Sequence, residues 1–491
     1  MEEQFEKSSR PIVALTGASG YIGNHLLQKL TDYADVIALS RNGDKKESSS
    51  HVKWRSCDMF SLGSAEKGLE GADCAVYLVH SMMPSAKLTQ AKFEDMDLIL
   101  ADNFARAAKK QGIKQIVYMS GIIPQNTDKL SRHLKSRLEV EKVLGAYGVP
   151  VTTIRAGLIV GPKGSSFPIL SKLAGRLPVM VLPKWTRTET HPIALTDVLS
   201  ALNKSIGNKD LAGRSIDVGG PKVMTYKEMM IKTAQVMGKN TYTVDVPLLT
   251  VTLSRLWVSL ITGSPKEIVY PLIESLIHPM VAQKENMVEG ISQGKTTFEE
   301  AAKSSLEAEQ KEKEQTKSKS APSKTKQIAD VRSVQRILLP EGKDASWAGE
   351  YYMEWLGKIM KPLLKSKMDE KKNAKVSALL WKTPLLELTF AKDRSTPVRV
   401  VYHITGGAFV KSEDKSNGRI EFRQIPGTQE CIIAIHEYKP SLPWFIYKFS
   451  QAKIHLVVMY LFKKHLLGLM KKTEKYQQNN PVKREVEQGS L

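Results

Sequence analysis

The sequence predicts an α/β chain, a doubly wound parallel sheet followed by a separate α+β module. Three observations predict it. Apolar strand-like runs alternate with helical patterns from Pro11 to Gly157; a polar stretch free of apolar periodicity covers 303–326; beyond it, strand patterns follow one another with only short turns between. Alternation requires helical crossovers and so a parallel sheet, whereas short turns require antiparallel neighbours.

The strands of the first part are PIVALTG, DVIALSR, HVKWRSCDM, DCAVYLVH, KQIVYMSG and VPVTTIRAG. Between them GNHLLQKLTDY, GSAEKGLEGA, DLILADNFARAAKKQG and SRLEVEKVLGAYG carry helical periodicity. Right-handed crossovers place the loops after the strands along one rim. After Gly161 the alternation loosens, with a later strand near RSIDVGG (214–220), and this region is expected to line the second side of a cleft. KSSLEAEQKEKEQTKSKSAPSKTK (303–326) cannot bury enough apolar area to offset ordering entropy and reads as a linker. WAGEYYMEWLGKIMKPLLKSKM (347–368) then reads as a helix, LLELTF, PVRVVYHITGGAFV, NGRIEFRQI and ECIIAIHEY as strands, and WFIYKFSQAKIHLVVMYLFKKHLLGLM (444–470) as a long closing helix. A sheet curled around one long helix encloses either filled core or a ligand pocket. The expected domains are 10–302, a linker at 303–326, a second domain at 327–475 and a polar tail at 476–491.

With 491 residues, 42% hydrophobic and 25% charged, the chain is ordinary in composition and large enough for several cores. Its net charge of +21 favours anionic partners: phosphorylated cofactors, nucleic acid or an acidic membrane face. Cys57, Cys74 and Cys431 offer neither a disulfide framework nor metal-ligand spacing, and no metal site is expected. MEEQFEKSSR has no apolar core of a secretory signal, so the expected location is cytoplasmic. Lys448, Lys453, Lys463 and Lys464 interrupt the closing helix, and Arg255 interrupts PLLTVTLSRLWVSLITG (247–263), so neither spans a bilayer comfortably. The closing helix either packs on its domain or lies on an acidic inner-membrane face, a peripheral contact.

The sharpest chemical signal is LTGASGYIGNHLL, with Gly17, Gly20 and Gly23 directly after a strand and opening a helix. Gly17 permits the tight turn, Gly20 lets the backbone approach a pyrophosphate, and Gly23 permits close helix–sheet packing. This is the dinucleotide turn of a Rossmann sheet, and Ser19, Tyr21 and Ile22 share it. The second strand ends in Ser40-Arg41-Asn42, without the acidic residue that binds the ribose of NAD. Arg41 is placed to meet a 2′-phosphate, which favours NADP, as NADPH, over NAD. Asp58 and Met59, after the third strand, are candidates for the adenine edge and face, although Asp58 equally suits a helix cap. Val79 and Ser120 close the expected cofactor contacts at the ends of later strands.

TGASGYIG, VYMSG (117–121), TIRAGLIVGP (153–162), HPIALTDVLSAL (191–202) and DVGGPKVMTYKEMM (217–230) together resemble the extended and atypical short-chain dehydrogenase/reductase superfamily, in its NmrA-like NAD(P)H-binding subgroup. RSVQR (332–336), LLELTF, ITGG, GRIEF and PWFIYKFSQAKIHLVVM resemble a domain of unknown function often fused to that subgroup, which implies a START-like helix-grip fold with an apolar cavity.

The resemblance implies a catalytic tyrosine followed four residues later by a lysine, with a serine after the fifth strand. At that place SRHLKSR (131–137) has His133 and Arg137, and Gly121 and Ile122 occupy the region of the serine. Arg137 can replace lysine as a ribose clamp, being permanently cationic. His133, with an ordinary pKa near ~6.5, is one candidate proton donor and His80 another. Tyr118, inside a strand pattern, and Tyr147, at a helix end, are poor substitutes for the missing tyrosine; His191 reads as structural.

Three functions remain open. One is an atypical NADP-dependent oxidoreductase acting on a carbonyl, alkene or quinone-like apolar molecule. Another is a non-catalytic NADPH-binding sensor or scaffold. The third is a lipid or isoprenoid handler at the membrane face. No nucleic-acid motif accompanies the positive charge, and nucleic acid is not an expected partner.

Overall fold

The computed structural model describes residues 10–80, 86–125, 127, 129–164, 166–177, 179–246, 250–316, 328–359, 361–362, 364–378, 382–410 and 418–479. The chain forms two compact units: Met1–Met83 with Asp97–Ser323, and Pro84–Met96 with Lys324–Leu491.

The elements run β1 (Ile12–Thr16), α1 (Tyr21–Leu30), β2 (Asp35–Ser40), β3 (Val52–Ser56), α2 (Leu62–Leu69), β4 (Cys74–Tyr77), β5 (Ala86–Gln90), α3 (Phe93–Lys110), β6 (Gln115–Gly121), α4 (Arg132–Gly145) and β7 (Val151–Ala156). There follow β8 (Ile159–Val160), α5 (Phe167–Arg176), β9 (Val179–Leu182), β10 (Glu189–Thr190), β11 (Ile193–Ala194), α6 (Leu195–Ser205), β12 (Ser215–Val218), β13 (Met224–Thr225), α7 (Tyr226–Val236), β14 (Tyr242–Asp245), α8 (Val251–Thr262), α9 (Lys266–Ser275) and α10 (Phe298–Thr316).

In the first unit seven strands form one sheet, in the order β12-β7-β6-β4-β1-β2-β3, and every pair is parallel. The central strands are buried along almost their whole length, as strands covered on both faces must be. The chain leaves β1 toward β3 and returns through β4 on the other side, which creates a crevice at the strand ends between β1 and β4. The doubly wound Rossmann sheet expected from the sequence is present. A second core, around Phe167, Leu170, Trp185, Tyr226, Val258 and Ile273, joins α5, α7, α8 and α9.

The stretch expected to be a polar linker from 303 is helical to Thr316; 317–326 lie outside the described residues. Low apolar content concealed a sequence of strong helix formers. Thr297 and Glu300 cap the helix reciprocally: Glu300 Oε2 accepts from the Thr297 amide (2.9 Å) and Thr297 Oγ1 from the Glu300 amide (3.3 Å). Ala301, Ala302 and Ser305 bury one face, and Lys313 pairs with Glu309 at 2.8 Å.

The second unit contains β15 (Ile328–Leu338), α11 (Ala345–Ile359), β16 (Leu364–Met368), β17 (Ala374–Ala378), β18 (Leu386–Phe390), β19 (Arg399–Gly406), β20 (Arg419–Gln424), β21 (Glu430–Tyr438), α12 (Trp444–Phe449) and α13 (Gln451–Asn479). Its eight strands are ordered β16-β17-β18-β19-β20-β21-β15-β5. All pairs are antiparallel except β15 with β5, which is parallel. The unit differs from the expectation in several features, among them the closing helix, which breaks at Ser450 into α12 and α13. The helix expected to reach 368 stops at Ile359, because Pro362 cannot continue it, and Leu364–Met368 pairs as a strand. And β5, from the middle of the first half of the chain, joins this sheet as an edge strand: Gln335 Nε2 donates to the Gln90 carbonyl at 3.0 Å. The expected tail at 476–491 begins as the end of α13; 480–491 lie outside the described residues.

Tyr352 and Trp355 from α11 and Phe462 and Leu466 from α13 pack against Tyr402, Phe422 and Ile433 of the sheet. The Phe462 ring centroid is 5.0 Å from both Tyr352 and Trp355. The space between sheet and closing helix is thus occupied by aromatic side chains. Among the described residues no helix is long and apolar enough to cross a membrane. Phe462→Ala should destabilise the second unit by about 3–5 kcal/mol, read as a lowered urea midpoint at unchanged slope.

Candidate functional site

The site begins where β1 turns into α1. Gly17 adopts φ +66° and its carbonyl accepts from the Gly20 amide at 2.7 Å. A Cβ on Gly23 would overlap the Gly17 carbonyl oxygen, and one on Gly20 would lie 3.0 Å from it. Glycine is therefore required for α1 to approach β1 this closely. No side chain caps the helix at Gly20, so its first amides and the positive end of its dipole face the rim, which suits a pyrophosphate. Ser19 is exposed there, while Tyr21 and Ile22 are half-buried. A Cβ on Gly161 would lie 2.5 Å from Tyr21 Oη, so the Tyr21 ring closes on the segment after β8.

Leu78 and Val79 follow β4 beside this turn: the Leu78 amide donates to Thr16 Oγ1 at 3.0 Å, and its carbonyl lies 3.3 Å from where a Gly17 Cβ would be. Ser40 ends β2 and Arg41 follows, exposed and without a hydrogen bond or ion pair among the described residues. Asp58 Oδ1 accepts from the Phe60 amide (3.1 Å), a turn contact, and Ser61 rather than Asp58 caps α2. Met59 is buried and its carbonyl accepts from Asn103 at 2.8 Å.

The histidine and arginine of α4 stand on one face, as residues four apart must. Ser131 caps the helix, accepting from the Leu134 amide at 3.3 Å, and its Oγ lies 2.8 Å from Ser275 Oγ on α9. His133 and His80 come together with ring centroids 5.3 Å apart. His80 Nδ1 lies 2.6 Å from Asp97 Oδ2, to which Ser136 Oγ also donates, at 3.5 Å. Arg137 donates to the Tyr118 hydroxyl at 3.4 Å. Burial, reinforced by Arg137 and His80, pushes the His133 pKa well below its ordinary value. Burial and Arg137 also lower that of His80, against the opposing pull of Asp97. Burial thus favours the neutral form of both imidazoles.

Gly121, Ala156 and Gly157, at the ends of β6 and β7, open onto a cavity of about 110 Å³. His133 and Leu134 form one wall; Ile169, Leu170, Trp185, Tyr226, Met230 and Ile273 form the others. His133 Nδ1 and Trp185 Nε1 are buried without a hydrogen-bond partner among the described residues. An apolar space with few polar groups suits a compact uncharged molecule.

Sequence reasoning missed Asp97, Ser136, Trp185 and Tyr226, none of which belongs to a local motif. Tyr118, set aside because of its strand pattern, is fully buried yet meets Arg137. Tyr147 bonds instead to Asp102. His191 Nε2 lies 2.8 Å from the Gly220 carbonyl, a contact that ties two loops together.

A protein-family model described as NAD(P)H-binding matches residues 17–172. The auxiliary protein GraX of Staphylococcus aureus is 34% identical over 145 residues, 29% of this chain and 43% of that protein; the match spans less than half of the relative's length. Among solved structures, a nucleoside-diphosphate-sugar epimerase of S. aureus has 16% identity and a TM-score of 0.49, covering 59% of this chain and 99% of that one. An NADPH-dependent quinone oxidoreductase of Escherichia coli, complexed with NADPH, has 17% identity and a TM-score of 0.48, covering 59% and 98%.

Gly23→Ala should weaken nucleotide binding at least tenfold, about 1.4 kcal/mol, because the new methyl group drives α1 away from β1. Isothermal titration with NADPH beside the parent chain checks this.

Proposed function

With an NAD(P)H-binding domain in its N-terminal part, we propose that the first unit is an NADPH-dependent reductase of a compact, uncharged carbonyl or quinone-like molecule. The observation that carries this reading is the position of His133: a neutral imidazole on the first turn of α4, in the wall of an apolar cavity at the strand ends. The glycine turn and the uncapped α1 terminus would hold the pyrophosphate, and Arg41, exposed and without a hydrogen bond or ion pair among the described residues, would meet a 2′-phosphate. The bound nicotinamide would supply a hydride. A neutral imidazole N–H can hydrogen-bond a carbonyl oxygen and polarise it without a formal charge, and the alkoxide left by hydride transfer would take its proton from water. Arg137 stays cationic: burial opposes its charge, but Tyr118 and Asp97 outweigh that effect. It stands one turn along from His133, where it would hold a ribose hydroxyl.

A second reading, an NADPH-binding scaffold without turnover, is favoured by one observation. The Tyr118 hydroxyl is fully buried and engaged by Arg137, so it is a poor stand-in for the missing catalytic phenol. For the second unit we retain the START-like helix-grip reading, with the aromatic filling of its interior favouring a role at its surface over enclosure of a lipid.

Arg41→Ala should weaken NADPH binding about 10- to 100-fold and leave NADH binding nearly unchanged, the loss expected for one charge-assisted contact. Equal losses for both nucleotides would remove the assignment. His133→Ala should lower kcat for a small quinone or cyclic ketone about 10²-fold or more. Because the neutral form acts, the parent rate should be flat from about pH 6 to pH 8 and fall only as acid protonates His133 through its depressed pKa. NADPH binding without oxidation by any such acceptor would favour the scaffold.

A further inference from the structure

The outward side of α12 and the start of α13 is apolar. Ile446, Phe449, Ile454, Val457 and Tyr460 are 50%, 53%, 57%, 56% and 64% exposed. The inward stripe of α13, with Ala452, Val458, Met459, Phe462 and Leu466, already packs in the core. One stripe is enough to seat a helix on a sheet, so the second has no part in folding. Soluble surfaces scatter large apolar residues singly, and a continuous group marks a contact site.

The charge around the group identifies what it contacts. From Lys439 to Thr473 the sequence has no aspartate or glutamate. Lys453, Lys463, Lys464, Lys471 and Lys472 are all exposed. The apolar group occupies the first turns of α13 and most of the lysines its later turns.

We propose that this face docks on the surface of an anionic lipid bilayer, with the apolar turns entering the headgroup boundary and the lysines meeting lipid phosphates. A helix lying in the interface needs this pairing of apolar and basic side chains. Two copies of the face would bring lysines together without acids to neutralise them, whereas an anionic bilayer supplies the opposite charge. The contact is independent of the reductase reading, because it uses only the second unit.

Co-sedimentation of the full chain with vesicles tests it. Binding is expected to phosphatidylcholine–phosphatidylglycerol vesicles at low salt, with loss at high salt or on phosphatidylcholine alone. Val457→Glu with Tyr460→Glu should weaken binding about tenfold or more. Lys463→Gln with Lys464→Gln should weaken it about 25-fold, at ~1 kcal/mol per lysine near an anionic surface. All four side chains are exposed, so circular dichroism spectra should match the parent. Failure of the parent to bind anionic vesicles, or undiminished binding by both variants, overturns the proposal. A parent dimer in sedimentation velocity that Val457→Glu/Tyr460→Glu makes monomeric, with no vesicle binding, would assign the face to a second copy and also overturn it.

Discussion

Between the Gly17 carbonyl oxygen and the α-carbon of Gly23 there is no room for a methyl group, and this contact holds α1 against β1. The arrangement of the first unit depends on it. It points the uncapped turn of α1 along the strand ends, and parallel pairing then brings the ends of β4, β6 and β7 to the same rim. The glycine turn and the cavity are thereby placed at the same end of the strands, although the residues that form them are widely separated in the chain. Tyr21 closes on Gly161, a contact that depends on the same lack of side-chain bulk.

Behind that rim, the electrostatics are set by burial and by one cation. Burial lowers the pKa of both neighbouring imidazoles, and Arg137, which has Tyr118 as a hydrogen-bond partner, adds to that effect. Asp97, bonded to His80, balances part of that charge. An ordinary exposed histidine titrates near neutrality, but desolvation beside a guanidinium removes that behaviour. In the reductase reading, the place of a phenol–ammonium pair would be taken by a ring that burial keeps from charging, beside a permanent cation. The chemistry such a pair supports is polarisation more readily than proton donation.

The second unit solves a different packing problem. An antiparallel sheet needs one face covered, and α11 and α13 cover it with aromatic side chains that meet in the middle. The outer side of α12 and α13 carries exposed apolar and basic side chains. α13 thus combines an apolar inner stripe, packed in the core, with an apolar-basic outer face.

Signals carried by contiguous residues were legible. The strand–helix alternation, the three glycines, Arg41 after β2 and the pair His133/Arg137 could each be read within a short stretch, because backbone periodicity and turn chemistry are local. The low apolar content of 303–316 misled, since helix propensity and a Thr297–Glu300 cap outweigh composition. Other features needed the fold. β5 joins a sheet whose neighbouring strand starts at Ile328, and Ser131 finds Ser275 across 144 residues. Trp185 and Tyr226 reach the cavity from separate elements. The sequence by itself determined the parallel sheet, the glycine turn and the His133/Arg137 pair four residues apart, because those are statements about residue type and spacing. Only the tertiary structure decided which strands share a sheet, what lines the cavity and that burial disfavours a charged His133, because these depend on burial and on contacts between distant residues.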